Sequence, residues 1–149
     1  MIVRQGVDIA ELWALRDPYR SVQVVKHPDY QTKHPGKYLG SKNEDYPRKN
    51  WSSVILFNCN SFPNRVLTPD FVRRAPGSYL HRFEWLKDDD RIGCLPSEWN
   101  RLVLEQRVQP TDKLLHYTIG TPCFRAYASC DHAEEWHRAA SAAFSHKEP

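Results

Sequence analysis

Apolar residues recur at helical spacing in several short segments of the chain. Ile9, Leu12 and Trp13 share one face of a predicted helix that is capped by Asp8 and ends before Asp17. By the same reasoning, three more helices begin near Thr68, Ser78 and Asp131. The last of these carries an apolar stripe, so we expect it to pack one face on the core.

Between the helices, four segments read as strands, at 21–26, 51–58, 92–95 and 114–117. Segment 51–58 has the longest continuous apolar run, which predicts burial on both faces in the centre of a sheet. The pattern therefore predicts an α/β fold in which a mixed sheet is flanked by helices. We expect a single domain over residues 1–149, with a frayed tail at 145–149.

One long segment, 28–47, lacks any such periodicity and is polar, basic and rich in turn residues. A loop of this length inside a compact domain is typical of a functional or mobile segment. Its positive charge favours a phosphate-bearing ligand, although a merely solvated basic loop is the simpler interpretation. The basic residues in and beside this loop are Lys26, His27, Lys33, His34, Lys37, Lys42, Arg48 and Lys49.

Composition narrows the class of protein further. The chain is 40% hydrophobic and 26% charged, as globular proteins are, and its net charge of only +3 argues against a dedicated DNA-binding protein. The four cysteines show no Cys-x-x-Cys spacing, which favours reduced thiols over a zinc site. No apolar run reaches transmembrane length. These features predict a cytoplasmic protein without a membrane partner, and they disfavour a nucleic acid as its partner. The alternative is a phosphate- or RNA-binding domain that uses the basic segment.

The segment 114–122 carries the most informative chemistry. His116 ends a short apolar strand, and a turn through Gly120 and Thr121 follows at once. Ligands of α/β proteins bind at strand ends, so His116 is a candidate ligand for a metal or a phosphate group. The alternative is an ordinary strand-end histidine that caps its neighbours.

Together with residues 95–100, this segment resembles the C-terminal half of family 8-like glycosyltransferases, which have the GT-A fold. In that family a Leu-Pro-x-x-Trp-Asn segment precedes a strand ending in His-Tyr-x-x-Gly-x-Pro. Residues 8–12 look like the helix that follows the family's Asp-x-Asp motif, and residues 24–27 look like its next strand. Residues 47–58 occupy the place of its Asn-Ala-Gly-Val-Leu-Leu-Ile-Asn strand, and residues 80–86 that of a helix lining the sugar pocket. The resemblance implies that this chain is the C-terminal portion of a GT-A fold.

The activity that the resemblance implies is transfer of a sugar from a nucleotide-diphosphate sugar to an acceptor hydroxyl, on a carbohydrate or another molecule. The implied cofactor is Mn²⁺ or Mg²⁺, which offsets the charge of the departing diphosphate. His116 would be the imidazole ligand, and Glu84 is the candidate for orienting the acceptor hydroxyl. The implied substrate-binding residues are Asn50, Trp51, Ser52, Ser53, His81, Arg82, Trp99, Asn100, Gly120 and Thr121.

Structural interpretations compete for these residues. Asn50 and Trp51 also suit a strand start and a core residue, and Arg82 suits a surface ion pair. Trp99 with Asn100 equally suits a packed indole beside a capping amide.

The chain departs from the family at its first residues, because Met1 falls just after the expected Asp-x-Asp position. Asp88–Asp90 has the spacing of that motif but follows a helix in a charged turn, so we expect it to be solvated. Both metal-binding carboxylates are therefore expected from a separate N-terminal half or from a second copy of the chain. The alternative is a non-catalytic remnant, or an acceptor-binding module that needs a partner chain.

Overall fold

The structure is a computed structural model that describes residues 1–145. Within them the chain forms β1 (Ile2–Val3), α1 (Ile9–Ala14), β2 (Val22–Val25), β3 (Ile55–Phe57), α2 (Pro69–Arg74), α3 (Gly77–His81), β4 (Ile92–Leu95), β5 (Arg101–Leu102), β6 (Leu114–His116) and α4 (Ala133–Ser145). These elements belong to two compact units. The first unit comprises Met1–Ile9, Gln31–Glu44 and the residues from Glu98 onward, and the second comprises Ala10–Tyr30 and Asp45–Ser97.

The first unit contains a three-stranded sheet with β6 in the middle. β1 runs antiparallel to β6 and β5 runs parallel to it, with Leu102 opposite His116. Val103, Leu115 and Tyr117 form the buried core, against which Trp136 of α4 packs. β1 and β5 have two residues each, too few for a period-two pattern, and were therefore missed by the sequence analysis.

Two ion pairs join distant segments within the first unit. The guanidinium of Arg4 donates to both carboxylate oxygens of Glu135 on α4, at 2.8 and 3.0 Å. Nε of Arg101 donates to Asp112, whose carboxylate is wholly buried and also accepts the backbone N–H of Gln109 at 2.6 Å. These pairs hold the N-terminal strand and the residue 109–112 turn in place.

The second unit contains another three-stranded sheet, in which β2 lies between β3 and β4. β2 is antiparallel to β3 and parallel to β4. All four β2 residues are buried, and the core of the unit consists of Val22, Val24, Phe83, Leu86 and Ile92. The central strand of this unit is therefore β2.

The prediction of a buried central strand over 51–58 is wrong. Trp51–Ser53 forms a 3₁₀ turn, and only Ile55–Phe57 pairs as β3, at the sheet edge with Phe57 45% exposed. Asn50 has a left-handed backbone with φ of 64°, and the Ser53 hydroxyl donates to the Asn50 carbonyl at 2.5 Å. This local hydrogen bond competes with strand pairing and delays the start of the strand.

The α/β class is confirmed, whereas the single mixed sheet is replaced by two three-stranded sheets. The helix expected from Ser78 through residue 86 ends at His81, because Phe83 has a left-handed φ of 57°. Thr68 caps α2 as predicted, accepting the N–H of Phe71 at 3.2 Å. Of the tail expected to fray, only Ser145 lies among the described residues, and it ends α4.

Within residues 1–145, no helix is long and apolar enough to cross a membrane. In the described part of the chain the four cysteines are free, and Cys59, Cys94 and Cys123 are exposed.

Candidate functional site

The imidazole of His116 is held by a buried amide. His116 ends β6, and its Nδ1 lies 3.2 Å from Oδ1 of Asn100, which has no solvent-exposed surface. Because an amide oxygen only accepts hydrogen bonds, this contact requires a proton on Nδ1, and in a neutral imidazole the lone pair is then on Nε2. Histidines that bind metals are commonly oriented in this way through the other ring nitrogen. The arrangement suits His116 to be a metal ligand.

Trp99, next to Asn100, is a core residue. Its side chain is completely buried, and the ammonium of Lys113 lies 5.3 Å from the centre of its ring. Lys113 also pairs with Glu98 at 3.0 Å. Among residues 1–145 the indole Nε1 has no hydrogen-bond partner. Of the two interpretations of this position, the packed indole is the one that the geometry favours.

The turn after β6 is tightly packed. A Cβ atom on Gly120 would lie 2.2 Å from the Tyr127 ring, so only glycine fits without movement of the turn or the ring. Oγ1 of Thr121 lies 2.8 Å from Sγ of Cys123, so this hydroxyl already has a local partner. The turn therefore brings backbone close to an aromatic ring, and the Thr121 hydroxyl is less available to a phosphate than the sequence suggested.

The part of the basic segment that belongs to the first unit, Gln31–Glu44, docks on this turn. The N–H of Tyr38 donates to the Ile119 carbonyl at 2.9 Å, and the Tyr38 ring stacks on Phe124 with centroids 3.5 Å apart. A β-bridge between Gly36 and Lys42 closes the segment on itself. We call Gln31–Glu44 the basic loop, and its contact with the turn after His116 is made by Tyr38.

The remaining predicted residues lie in the second unit, where the structure joins two of their segments. Oγ of Ser52 lies 2.8 Å from Nδ1 of His81, which links the 3₁₀ turn Trp51–Ser53 to the end of α3. Ser53, by contrast, is used locally in the hydrogen bond to Asn50. The Ser52–His81 pair is exposed to solvent.

The ring of Trp51 is flanked by cations. The Lys26 ammonium lies 5.3 Å from its ring centre and the Arg48 guanidinium 5.9 Å away. Trp51 also packs against the core of the second unit. These contacts favour the core interpretation of Trp51 over a platform for a sugar ring.

Arg82 and Glu84 form the surface ion pair that was the simpler interpretation. Their charged atoms are 3.9 Å apart, and both side chains are more than a third exposed, so the pair contributes little stability. Arg82 also lies over the Tyr46 ring at 5.6 Å. Its Nε atom is buried and has no hydrogen-bond partner within the described residues.

The acidic triplet Asp88–Asp90 has a structural role. The Asp88 side chain accepts the N–H of Asp90 at 3.0 Å and caps a 3₁₀ turn, while Asp89 pairs with Arg48. In residues 1–145, no three His, Cys, Asp or Glu side chains are grouped so as to hold a metal ion.

One residue that the sequence analysis missed is Glu105, which follows β5 in the first unit. The residue is 2% exposed, and its Oε2 accepts a hydrogen bond from the backbone N–H of Lys33 in the basic loop, with 3.4 Å between oxygen and nitrogen. Nothing in the sequence distinguished this glutamate from the other acidic residues, because its burial depends on the fold.

Similarity to known proteins extends over most of the chain. It is 42% identical to Protein CDI of Arabidopsis thaliana over 134 residues, which cover 87% of this chain and 51% of that protein. The chain thus spans about half the length of the curated relative that it matches. No family model matches it, and no solved structure matches it significantly.

These comparisons overturn the assignment to the family 8-like glycosyltransferases. The matched relative does not carry a glycosyltransferase name, and no family model supports the assignment. The resemblance depended on short strand, turn and helix segments. Such segments meet general demands of folding and are weak evidence for a family.

Proposed function

We propose that this chain contributes the imidazole ligand of a divalent-metal site in an enzyme that transfers a sugar from a nucleotide-diphosphate sugar to an acceptor hydroxyl. The observation that supports the proposal is the hydrogen bond between Asn100 and His116, at the end of a parallel strand. An imidazole oriented through Nδ1 in this way is typical of metal-binding histidines, and on this proposal Nε2 is the atom that binds the metal. On this proposal the α/β chain is the C-terminal portion of a GT-A fold.

The residues of the chain have distinct tasks in this scheme. Asn100 orients His116, and the basic loop supplies positive charge for a diphosphate through Lys33, Lys37 and Lys42. Gly120 lets the backbone pass close to Tyr127, which keeps the turn compact beside the site. A bound Mn²⁺ or Mg²⁺ would stabilise the negative charge on the leaving diphosphate.

The donor set of this chain fits only part of such a site. His116 is one nitrogen ligand, whereas Mn²⁺ and Mg²⁺ prefer several oxygen ligands. The proposal therefore requires carboxylates from another segment, either a separate N-terminal half or a second copy. That requirement is compatible with a relative about twice as long as the matched region.

Paramagnetic NMR with Mn²⁺ tests the metal role directly. We expect Mn²⁺, alone or with UDP, GDP or ADP, to broaden the imidazole proton signals of His116 before those of the other histidines. His116→Ala should abolish the selective broadening. Asn100→Ala should weaken Mn²⁺ binding about tenfold or more, because the imidazole loses its orienting partner.

His137→Ala is the matched control, since this exposed histidine on α4 bonds only to a backbone carbonyl in the contacts described. It should leave the His116 signal broadened as before. Broadening spread evenly over the seven histidines would contradict the metal role.

Activity is tested with the longer relative, Protein CDI, because among residues 1–145 of this chain the proposal assigns one metal ligand, His116. The expected result is Mn²⁺-dependent hydrolysis of at least one nucleotide sugar from a panel with different bases and sugars. Failure across the panel, with and without acceptor sugars, would contradict sugar transfer. Sedimentation of the present chain is then measured alone and mixed with the part of Protein CDI that lies outside the matched region. Self-association would favour ligands from a second copy, and a mixed complex would favour ligands from a separate half.

A second candidate is an acceptor-binding module without catalysis of its own. The exposed Ser52–His81 pair favours it, because hydroxyl and imidazole groups suit hydrogen bonding to a carbohydrate. Ser52→Ala should then weaken carbohydrate binding while Mn²⁺ broadening at His116 stays unchanged. Carbohydrate binding unaffected by Ser52→Ala would argue against this candidate.

A further inference from the structure

A cleft of about 610 Å³ lies within the second unit. Its walls are the end of α1 with the residues that follow it, and β3 with residues 58–60. Pockets that bind small molecules have volumes of about 300–1,000 Å³ and combine a mostly apolar lining with a few polar groups. This cleft has that composition, because Trp13, Leu56 and Phe57 line it together with two arginines. We call it the Trp13 cleft.

One wall of the Trp13 cleft is held to the sheet by a buried amide. Gln23, in the middle of β2, accepts the N–H of Asp17 through Oε1 at 2.6 Å and donates through Nε2 to the carbonyl of Leu15 at 2.9 Å. Gly93 of β4 pairs with Gln23, and a Cβ on it would lie 2.8 Å from Gln23 Cγ, so glycine leaves room for this side chain. The chain that leaves α1 is therefore fixed, and a ligand meets a preformed wall.

Two large aromatic side chains of the cleft remain exposed. Trp13 is 58% exposed, and Phe57 lies on β3, an edge strand of its sheet. Single exposed apolar residues are common, but here two rings line one cleft beside the half-buried Leu56. A ligand with an apolar, aromatic body would remove this surface from water, which favours binding.

Arg16 adds a positive charge whose position is fixed. Its guanidinium carbon lies 5.1 Å from the centre of the Trp13 ring, and one of its N–H groups donates to the Trp13 carbonyl at 3.1 Å. A guanidinium has five N–H groups, so several remain for a ligand. In the part of the chain that the structure describes, Arg16 pairs with no carboxylate, whereas Nε of Arg20 lies 3.4 Å from Asp17.

The charge of the cleft selects the kind of anion. Among the described residues, the charged side chains that line it are Arg16, Arg20 and Asp17, so the lining carries one net positive charge. A carboxylate carries one negative charge, and its two oxygens match the planar guanidinium fork. A phosphate monoester carries close to two negative charges at pH 7, and part of that charge would stay unbalanced. The cleft therefore suits a carboxylate on an aromatic body.

We propose that the Trp13 cleft binds a small aromatic carboxylate, whose carboxylate group pairs with Arg16 and whose ring packs against Trp13 and Phe57. This site is additional to the proposed function, since it uses none of the residues assigned there to metal, diphosphate or carbohydrate binding. Its lining lies wholly in the second unit, whereas His116 belongs to the first.

An NMR titration with benzoate, cinnamate and hydrocinnamate, each compared with its neutral primary amide, tests the site. The reporters are the indole N–H signals of the five tryptophans, of which that of Trp13 is assigned with Trp13→Phe. We expect at least one acid to shift the Trp13 signal and its amide to bind about tenfold more weakly, because the amide cannot form the charge-assisted pair. The signals of Trp51 and Trp85, which pack against the core of this unit, should stay in place and report an intact fold.

Arg16→Gln should weaken binding of that acid about tenfold and should make the acid and its amide bind alike. Arg16 is exposed, so this substitution leaves the core of the unit intact. Arg73→Gln is the matched control, because Arg73 is an exposed arginine of the same unit that pairs with Asp70 on its own helix. It should leave binding of the acid unchanged.

Cysteine labelling gives an independent measurement of the same site. Cys59 is exposed and lines the cleft, whereas the exposed Cys94 of the same unit does not line it. The bound acid should slow the alkylation of Cys59 by N-ethylmaleimide several-fold, as followed by mass spectrometry, and leave Cys94 and Cys123 reacting as before. Arg16→Gln should remove most of this protection.

Four results would overturn the inference. The first is that no acid shifts the Trp13 signal at concentrations up to about 10 mM, where even a ligand with a millimolar Kd is mostly bound. The second is that the amide binds as tightly as the acid, and the third is that Arg16→Gln leaves binding unchanged. The fourth is that the acid protects Cys59 no more than Cys94. Mn²⁺ broadening at His116 depends on none of these measurements, so failure of the proposed metal role is recognised separately.

Discussion

Replacing Gly120 with alanine tests how closely the turn after β6 approaches Tyr127. A Cβ at this position would lie 2.2, 2.4 and 2.7 Å from three atoms of the Tyr127 ring. Carbon atoms in contact are normally about 3.5–4.0 Å apart, so the ring or the turn must move by roughly 1 Å or more. The backbone φ of Gly120 is not positive, which leaves the close approach as the reason for glycine here.

The cost follows from how firmly the ring is held. Tyr127 ends the 3₁₀ turn Arg125–Tyr127, and its N–H donates to the Phe124 carbonyl at 2.8 Å, so its Cβ is fixed while its ring can still rotate. Inserting a methyl group into such a contact costs about 1–3 kcal/mol. For a chain of this size that lowers the melting temperature by about 3–10 °C. Urea titration followed by circular dichroism measures the change.

Two further variants make the reasoning refutable. Gly36→Ala is the matched control, because its Cβ would meet nothing within 4 Å, and it should be neutral or slightly stabilising. Tyr127→Ala should recover most of the loss in the Gly120→Ala background, with a coupling of about 0.5–3 kcal/mol. Unchanged stability of Gly120→Ala, or costs that simply add in the double variant, would refute the close approach.

The ion pairs of the first unit give two more predictions. Burial by itself raises the pKa of Glu135, but the hydrogen bond and charge of Arg4 lower it below the ordinary 4.5. The stability that the pair contributes is therefore present above that pH and is lost as the pH falls through the folded-state pKa. Glu135→Gln should cost about 1–3 kcal/mol at pH 7 and progressively less towards pH 3, and a pH-independent difference in urea titrations would contradict this. Asp112→Ala should lower the free energy of unfolding by about 3–5 kcal/mol, because it leaves Arg101 without its buried partner. Asp70→Ala removes one partner of an exposed pair and should change stability by under about 1 kcal/mol. Equal losses in thermal melts would show that burial does not set the cost.

Local sequence signals predicted the elements whose cause is local. Thr68 followed by proline placed the start of α2 correctly, because a side-chain cap and a preset φ act within one turn. Segments 92–95 and 114–117 also pair as strands over nearly the predicted residues. In each case the residues that cause the structure lie inside the segment itself.

The sequence analysis failed where distant residues decide the structure. The apolar run at 51–58 predicted a central strand, but the strand between the two others is β2, whose position depends on pairing with segments more than 30 residues away. The left-handed backbone at Asn50 and Phe83 also broke two predicted elements. Asparagine adopts this conformation more readily than most residues, whereas phenylalanine rarely does, so the break at Phe83 depends on the surrounding packing.

In the candidate site, too, the sequence predicted what nearby residues cause and missed what distant residues cause. His116 was found from its place after an apolar strand, and Asn100 was identified with it, but their hydrogen bond requires β5 and β6 to run parallel in register. Glu105 was missed because a buried glutamate has the same sequence signature as a solvated one. The proposed metal role therefore survives the loss of the family assignment, since it depends on a hydrogen bond within this unit and not on the short segments that carried the resemblance. If Asn100→Ala left Mn²⁺ broadening at His116 intact, that independence would fail, because the buried amide would then have no part in preparing the imidazole.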